Sequence, residues 1–445
     1  MTSSVANRLC DDSPPRAILP PNFTHPPSSG AHPVYFTPKR LKLYLWALLL
    51  LELIICLGFR SSIRSGAIDF RGYYTAGHML RTGQPALLYD YPTQQRLQNT
   101  LVAPAQFTLL FFAPPFAALP FALLSFEPYL WALLLWGIVN LALLALAVRV
   151  MRPHLRVLTD RWGFTPALLF LSFLPVGLTL VMGQLSIALL LICCIAFALL
   201  ESASPFLAGI IFSLALIKLQ IALPVALLFL LWRRWRFTLG FLLGGAILAV
   251  LSAAIIGAHN FPSYIHSITH TSALAGTTLQ STVGIGPRRM ANLYGLFFTL
   301  TTTNRLATAL TAVASIAVLA WAVTRRPSFP LALIVAILVS YHLYPCDLTL
   351  LLLPLSLLSN RLFAEDDTLA QPAPQNLSWL QRHRRTILFC SMGVFLITPA
   401  LIEVIVNNLI FLLTLPILAL AACPYDWSTL TLPGERATRR LYASG

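Results

Sequence analysis

The chain has 445 residues, of which 57% are hydrophobic and only 10% are charged, whereas about 25% of the residues in a soluble domain are charged. This composition excludes an ordinary soluble domain, and repeated apolar runs near 20 residues predict an all-α, polytopic membrane protein. Pro and Gly punctuate those runs, which argues against the short alternating segments of a β-barrel. The formal net charge of +15 comes from basic residues at the ends of apolar runs, so it indicates membrane topology and no nucleic-acid partner.

The N-terminal part of the chain predicts a tail, a first span and a first outer loop. Residues 1–38 are rich in Pro and Ser without an apolar stretch, which predicts a disordered cytoplasmic tail rather than a signal peptide. A basic flank precedes the apolar run 43–59, so this first span is expected to run outward. Residues 60–100 then form a polar, aromatic outer loop with five arginines, at positions 60, 64, 71, 81 and 96. Either the positive-inside rule is merely statistical here, or some of these arginines bind an anionic ligand such as a lipid phosphate.

Residues 101–124 decide the topology of everything that follows. Prolines at 104, 114, 115 and 120 interrupt this apolar segment, which favours a re-entrant element over a full span. If the segment spans fully, the basic residues at 149, 152, 156 and 161 lie outside. If it returns to the outer side, they are cytoplasmic, as the positive-inside rule favours.

The remaining segments predict a transmembrane domain over 39–423 with several short or broken helices. Its predicted segments are 128–148 inward, 164–182 outward, 185–200 inward, a hairpin of two short helices at 206–219 and 221–231, 239–256 outward, 306–323 inward, 331–343 outward, 348–358 inward, and a final pair at 386–406 and 407–422. Between them lie a second long outer loop at 257–292 and a polar cytoplasmic linker at 360–385. A basic cytoplasmic tail at 424–445 follows.

This topology brings distant polar residues to the outer boundary of the membrane, which indicates a site. The converging residues are Asp69, Gln184, Lys218, Arg288, Arg289, His342 and Asp347. Asp69 follows the first span and is either a general base or an ordinary N-cap of a helix that starts near Phe70. Tyr73 and Tyr74 are either interfacial anchors or a platform for a sugar or lipid headgroup.

The other converging residues also have two interpretations each. A lysine inside an apolar helix costs about 2.5–3.5 kcal/mol on the lenient insertion scale, so Lys218 either has an anionic partner such as phosphate or extends to the interface. Gly183-Gln184 is a helix–helix turn or a ligand contact, and Tyr341-His342 with Asp347 is a helix-end cluster or a pocket wall.

No metal or other cofactor is expected. The outer-loop histidines at 259, 266 and 270 lack an accompanying carboxylate pattern. The seven cysteines show no paired or metal-type spacing. The chain also lacks a Gly-rich phosphate loop, a serine nucleophile elbow and an HExxH motif.

An ordered set of short motifs resembles glycosyltransferase family 87, whose members include polyprenyl-phosphate-mannose-dependent α-mannosyltransferases with the multi-span GT-C fold. The matching residues are Asp69-Phe70-x-x-Tyr73-Tyr74-x-Ala76-Gly77, Gly83, Leu88-Tyr89-Asp90, Pro114-Pro115, Gly183-Gln184-x-Ser186, Gly209 through Lys218 with Pro224 and Arg233-Arg234-Trp235, and Tyr341-His342 with Asp347. They cover roughly residues 65–360. Two departures are Ser186, where the family often has Asn, and the long spacing between Lys218 and Pro224.

The resemblance implies a GT-C-type bundle with a helical first outer loop and a reaction on the outer, periplasmic side of the inner (plasma) membrane. Asp69 would activate an acceptor hydroxyl, and His342 would orient acceptor or base. Lys218 and Arg289 would hold the phosphate of a polyprenyl-phosphate sugar, which leaves with inversion. Tyr73, Tyr74, Gln184 and Asp347 would contact substrate. The expected partners are this donor, a lipid or glycan acceptor and membrane lipid.

The competing hypothesis is a polytopic transporter or lipid flippase that uses Lys218 and Asp347 as midplane charges. It predicts polar residues spread through the bilayer, whereas this sequence concentrates them at the outer boundary. The sequence leaves open the acceptor, the oligomeric state, and the choice between mannose and a sugar such as arabinofuranose.

Overall fold

The computed structural model describes residues 38–163, 165–273, 287, 290–301 and 303–365, and no strand occurs among them. The predicted last two spans, the C-terminal tail, residues 1–37 and most of the linker lie outside the described residues. The first seven helices are α1 (Pro38–Gly58), α2 (Arg60–Ser65), α3 (Phe70–Arg81), α4 (Tyr91–Leu101), α5 (Leu119–Leu124), α6 (Tyr129–Met151) and α7 (Arg156–Trp162).

The later part of the described chain is also helical, with short 3₁₀ turns between several helices. Its helices are α8 (Thr165–Leu171), α9 (Leu174–Met182), α10 (Ser186–Glu201), α11 (Pro205–Ser213), α12 (Leu219–Leu231), α13 (Trp235–Ile256), α14 (Phe261–Ala273), α15 (Leu293–Thr301), α16 (Asn304–Val323), α17 (Phe329–Val339) and α18 (Leu352–Glu365). Helix α15 was not predicted, and the predicted span 164–182 is broken between α8 and α9. Helix α18 extends into the first residues of the predicted linker.

The chain is an all-α polytopic membrane protein. Four described stretches are long and apolar enough to cross a membrane: Tyr129–His154, Pro205–Leu231, Trp235–Ile256 and Asn304–Val323. A fifth candidate joins residues 42–58 to 60–81 through a 42° bend. Large apolar side chains on α1, α6 and α13 are exposed, Val250 at 71% among them, as expected of helices that face lipid rather than water.

The stretch Pro205–Leu231 folds back on itself and does not cross the membrane once. A continuous helix would separate the Cα atoms of Phe212 and Phe229 by about 25 Å, at 1.5 Å per residue. Instead, both rings contact Phe237, with centroids 5.7 and 4.1 Å away, and both contact Phe329. The chain therefore turns at the 3₁₀ segment Leu214–Lys218, which confirms the predicted hairpin of two short helices.

Residues 101–124 also return to the side from which they started. At one end, the carbonyl of Ala103 accepts a hydrogen bond from Arg71 of α3. At the other, the hydroxyl of Tyr74, again on α3, donates to the carbonyl of Glu127 at 2.9 Å. Because both ends contact one short helix, the segment starts and ends at the same end of the bundle, which is what a re-entrant element requires.

Polar site residues and basic clusters therefore lie at opposite ends of the bundle. Helix α6 begins against α3, where Tyr129 packs on Phe70 at 5.6 Å, and it runs about 35 Å before the basic residues around Arg152. At that far end, the side chain of Asn360 on α18 accepts a hydrogen bond from the backbone N–H of Leu158 on α7, so α18 ends there too. The basic cluster at 233–236 also lies there, because α13 begins beside the start of α11, and α11 follows the end of α10, where Phe197 contacts His154.

Close helix packing at glycines holds the hairpin in place. Helices α11 and α13 run side by side, and a Cβ atom added at Gly209 or Gly240 would collide with the backbone of the facing helix. Small residues allow such close backbone approach in membrane proteins, where lipid supplies no hydrophobic drive between helices. The largest core cluster is built mainly from α10, α11, α12, α17 and α18. It packs the helices that carry the polar residues at one end of the bundle.

Candidate functional site

A cavity of about 680 Å³ lies at the end of the bundle remote from the basic clusters. Most of the residues singled out from the sequence line it: Asp69, Tyr73, Gln184, Lys218, His342 and Asp347. They come from α3, the α9–α10 turn, the hairpin turn and the segment between α17 and α18. Residues separated by more than 270 positions in the chain thus share one chamber.

Asp69 occupies the N-cap position of α3, but its side chain forms no capping hydrogen bond. Its Oδ2 instead accepts a 2.6 Å hydrogen bond from Nε2 of Gln184, 115 residues away in sequence. Asp69 is therefore not an ordinary N-cap, because its carboxylate forms a tertiary hydrogen bond with Gln184 instead. This is the one hydrogen bond to the carboxylate among the described residues.

Two opposing influences act on Asp69, which lies in the first loop between α2 and α3. Burial raises the pKa of its carboxyl above the ordinary value, because a low dielectric disfavours the charged form. The hydrogen bond from Gln184 and the positive charge of Lys218 lower the pKa in turn, and burial is the larger effect. A raised pKa makes a carboxylate a stronger proton acceptor, which suits a general base.

Gln184 is fixed in a single amide orientation. Its Oε1 accepts hydrogen bonds from the hydroxyl of Tyr73 at 3.1 Å and from Nζ of Lys218 at 3.3 Å. Because two donors hold the amide oxygen, the amide nitrogen must point at Asp69. The positions of Tyr73 and Lys218 therefore determine how Gln184 holds the carboxylate of Asp69.

Lys218 is the centre of a buried ionic cluster. Its ammonium forms an ion pair with Oδ1 of Asp347 and donates to Oγ of Ser186 at 3.0 Å. Ser186 donates in turn to Oδ1 of Asp347 at 2.8 Å. With Gln184 as the third acceptor, all three N–H groups of Lys218 are used. The predicted phosphate contact of Lys218 would therefore require it to give up one of these partners.

The turn that carries Gln184 requires a glycine. Gly183 ends α9 with φ +67°, in the left-handed region. A Cβ atom there would lie 2.5 Å from Cβ of Phe70, so α3 and this turn are in direct contact. The indole Nε1 of Trp136 also donates to the Gly183 carbonyl at 3.0 Å. The sequence left open whether Gly183-Gln184 is a turn or a functional element, and the structure shows that it forms both a turn and part of the cavity wall.

One cavity wall is an irregular backbone segment at 109–114, and side-chain amides replace its missing backbone partners. Gln98 both donates to the carbonyl of Leu109 and accepts from its N–H, at 2.7 and 3.1 Å. Gln94 accepts from the N–H of Phe111 at 3.0 Å. Irregular backbone at membrane depth is tolerated where it borders a cavity and is satisfied internally. Sequence reasoning missed both glutamines.

Arg71 supports the same wall but does not belong to the described cavity lining. The side chain is fully buried and donates to Gln98 at 3.1 Å and to Asn99 at 2.9 Å. Its guanidinium also lies over the ring of Phe107. This arginine of the predicted outer loop is therefore engaged by protein groups.

The other predicted site residues divide into three cases. Tyr74 is not brought into the cavity, because its ring packs against Phe70 and Tyr129. His342 lines the cavity and lies edge-on to the ring of Tyr344, with centroids 4.8 Å apart. Arg289 lies outside the described residues.

The described cavity lining carries two carboxylates, Asp69 and Asp347, and one ammonium, Lys218. No arginine belongs to that described lining, so an anionic ligand would need a further cation. Met290 lines the cavity, and its neighbours along the chain are the sequence-predicted Arg288 and Arg289. Among the described residues, no group of three or more His, Cys, Asp or Glu side chains is arranged to hold a metal ion.

Comparison with known proteins identifies one family. The profile of Glycosyltransferase family 87 matches residues 111–354, which is more than half of the chain and includes Gln184, Lys218, His342 and Asp347. Asp69 precedes the matched region. Searches of curated proteins and of solved structures find no match. On the strength of the family profile, the chain belongs to glycosyltransferase family 87.

Proposed function

We propose that this membrane glycosyltransferase transfers a sugar, with mannose as the first candidate, from a polyprenyl-phosphate donor to an acceptor hydroxyl. The observation that carries the proposal is the Asp69 carboxylate in the cavity, which is fixed at Oδ2 by Gln184 and not used as a helix cap. This arrangement supports a general base, because Gln184 positions one carboxylate oxygen and the other oxygen can accept the proton.

The reaction is a single displacement. The acceptor oxygen attacks the anomeric carbon while Asp69 takes its proton, and a new glycosidic bond forms. The bond between the anomeric carbon and the phosphate oxygen breaks, and the polyprenyl phosphate leaves with the bonding electrons. Attack opposite the leaving group inverts the anomeric configuration.

The remaining cavity residues support this step. Gln184 aims the carboxylate, and the Lys218–Asp347 pair holds Gln184 through Nζ of Lys218. Tyr73 offers a ring beside the base, stacked on Phe121 at 5.0 Å, and His342 orients acceptor or base. We assign the donor phosphate to Arg289, because the described cavity carries no excess positive charge.

The proposed location is the plasma membrane, with the cavity on its outer side. Basic clusters at the opposite end of the bundle support this orientation through the positive-inside rule. The donor's prenyl chain would lie among the short and broken helices. A lipid-linked donor also requires no nucleotide-sugar domain.

The test is a reconstitution in proteoliposomes with radiolabelled polyprenyl-phosphate mannose and a crude lipid and glycan acceptor fraction. The proposal expects a new mannoside and stoichiometric release of polyprenyl phosphate. Movement of the labelled lipid across the bilayer without a new glycoside would contradict the proposal and favour a flippase. The concentration of polar residues in one terminal cavity already supports the enzyme.

A further inference from the structure

A second concavity, a groove of about 350 Å³, lies on the surface of the bundle where the end of α3, α5 and the end of α13 meet. None of the described residues that line it also lines the cavity around Asp69. The helical rise from Asp69 to Arg81 is about 18 Å, so a phosphate bound at Arg81 is too far away to react at Asp69. We call this concavity the Arg81 groove.

The Arg81 groove lies at the edge of the membrane. Ile255, the last residue but one of α13, lines it. Helix α13 is apolar and long enough to cross a membrane, and it begins at Trp235, inside the basic cluster at 233–236. Ile255 therefore lies about 30 Å from that cluster, at the opposite boundary between hydrocarbon and headgroups.

Most of the groove lining is apolar and accessible. Leu119 and Leu123 of α5 are 41% and 74% exposed, and Phe126 is 69% exposed. The half-buried side chains of Leu80 and Ile255 complete this apolar surface. At the edge of the hydrocarbon region such a surface suits the acyl chains of a lipid.

Arg81 is the one charged residue in the described lining of the groove. It lies at the end of the bundle remote from the basic clusters, where the positive-inside rule disfavours an arginine. Among the described residues its hydrogen-bond partners are the neutral side chains of Ser125 and His78, and no carboxylate pairs with it. Glu127, which follows Phe126 in the chain, lies outside the described lining. The groove therefore presents a net positive charge.

Neutral groups hold the Arg81 guanidinium in one orientation. Its Nε donates to Oγ of Ser125 at 3.0 Å, and Ser125 is itself fixed because it donates to the carbonyl of Ala122 at 2.8 Å. Nη2 lies 3.1 Å from Nδ1 of His78, which must accept because an arginine can only donate. The guanidinium carbon lies 4.8 Å from the ring centroid of Phe126. Among the described residues, these contacts use two of the five N–H groups.

The two walls of the groove are fixed relative to each other. Helix α3 approaches α5 backbone to backbone, because a Cβ atom added at Gly77 would lie 2.2 Å from the backbone of Phe121. Arg81 is on α3, whereas Ser125 and Phe126 directly follow α5. The charged and the apolar parts of the groove therefore keep a constant spacing, as a binding site requires.

We propose that the Arg81 groove binds an anionic glycerophospholipid of the surrounding membrane, with its phosphate on the guanidinium of Arg81 and an acyl chain on the apolar lining. A guanidinium gives phosphate oxygens two parallel hydrogen bonds. An anionic headgroup is favoured over a zwitterionic one, because the described lining has no carboxylate to receive an ammonium group. The inference needs only the membrane location of the protein and does not depend on sugar transfer.

The experiment measures equilibrium binding of radiolabelled phosphatidylglycerol to purified protein in a nonionic detergent. Zwitterionic phosphatidylcholine and dioleoylglycerol, which lacks the phosphate, are the comparison lipids. The variants are Arg81→Gln and Phe126→Leu, of which the second keeps the groove apolar but removes the ring beneath the guanidinium. Arg96→Gln is the matched control, because Arg96 is another exposed arginine of the predicted outer loop but lies outside the described groove lining.

We expect Arg81→Gln to weaken phosphatidylglycerol binding about 10-fold and Phe126→Leu to weaken it less, while the control matches the wild type. The wild type should bind phosphatidylcholine more weakly and dioleoylglycerol most weakly. Equal binding of phosphatidylglycerol by the wild type and Arg81→Gln, or equal binding of the three lipids by the wild type, would overturn the inference. Displacement of phosphatidylglycerol by equimolar glycerol 3-phosphate would contradict the role of the acyl chain.

Thermal melts separate loss of the site from loss of the fold. Without added lipid, Arg81→Gln should melt at the wild-type temperature, and phosphatidylglycerol should then raise the Tm of the wild type more than that of the variant. If the variant melts lower without lipid, the comparison of the three lipids on the wild type and the result for Phe126→Leu decide. Because no transfer is measured, failure of this inference leaves the proposed function intact, and failure of the proposed function leaves the lipid site intact.

Discussion

Replacing Gln184 by Met tests the link between the cavity's hydrogen bonds and its chemistry. Methionine keeps the length of the side chain but removes the amide that donates to Oδ2 of Asp69 at 2.6 Å. A hydrogen bond to a charged group contributes about 1.5–3 kcal/mol, and here it favours the ionised carboxylate over the protonated form. Losing the bond should therefore raise the pKa of Asp69 further above its ordinary value.

The sign of the effect on activity follows from the role of Asp69. Burial already raises the pKa of this carboxyl, and Gln184 opposes that rise. A base must be deprotonated to act, so the acidic limb of the kcat/KM profile should move to higher pH in the variant. At alkaline pH much of the activity should return.

The assay is the pH dependence of kcat/KM for the wild type, Gln184→Met and the control Gln95→Met, whose side chain lies on α4 away from the described cavity lining. The control should retain the wild-type profile. An acidic limb that stays in place while activity falls equally at every pH would refute the view that Gln184 tunes the carboxylate.

The remaining predictions concern stability and topology. Gly183→Ala should lower the free energy of unfolding by roughly 2–4 kcal/mol, because Gly183 has a left-handed backbone and the new Cβ would collide with its neighbours. The control Gly137→Ala has open space around it and should be neutral or slightly stabilising. Thermal melts in detergent measure both variants. Lys218→Met should cost about 3–5 kcal/mol by leaving Asp347 buried and unpaired, and adding Asp347→Asn should recover part of that loss; a double variant no more stable than the single one would show that the pair is not the cause. In a single-cysteine background, Arg156→Cys should be labelled by an impermeant reagent only after permeabilisation, and labelling of intact cells would reverse the orientation of the bundle.

The sequence predicted which residues meet, because charge at the ends of apolar runs determines the side on which each loop lies. Once residues 101–124 are re-entrant, Asp69, Gln184 and Asp347 must lie at one end. The hairpin around Lys218 follows from the same parity. These predictions needed only the order of apolar and basic segments and no knowledge of side-chain packing.

Side-chain direction could not be predicted in the same way. Tyr73 and Tyr74 are neighbours in one helix and point about 100° apart. Tyr73 lines the cavity, whereas Tyr74 packs into the cluster around Tyr129. Both residues match the same motif, and only the position of α6 distinguishes them.

The residues whose side chains form hydrogen bonds with the irregular backbone segment could not be predicted from the sequence either. Gln94 and Gln98 resemble ordinary polar positions of an amphipathic helix, and their partners near Leu109 are backbone atoms without a sequence signature. Ser186 was noted only as a departure from the family pattern. Its hydrogen bonds with Lys218 and Asp347 depend on how close α10 lies to the segment between α17 and α18, and only the fold shows that distance.

The central claim is that Asp69 is the base of a sugar transfer, and the most direct test is the transfer rate of Asp69→Asn. Asparagine preserves the shape of the side chain but cannot accept the proton. The proposed mechanism predicts a loss of about 10²–10⁴-fold in kcat, with binding of polyprenyl-phosphate mannose retained. A variant that transfers mannose at the wild-type rate would contradict the mechanism.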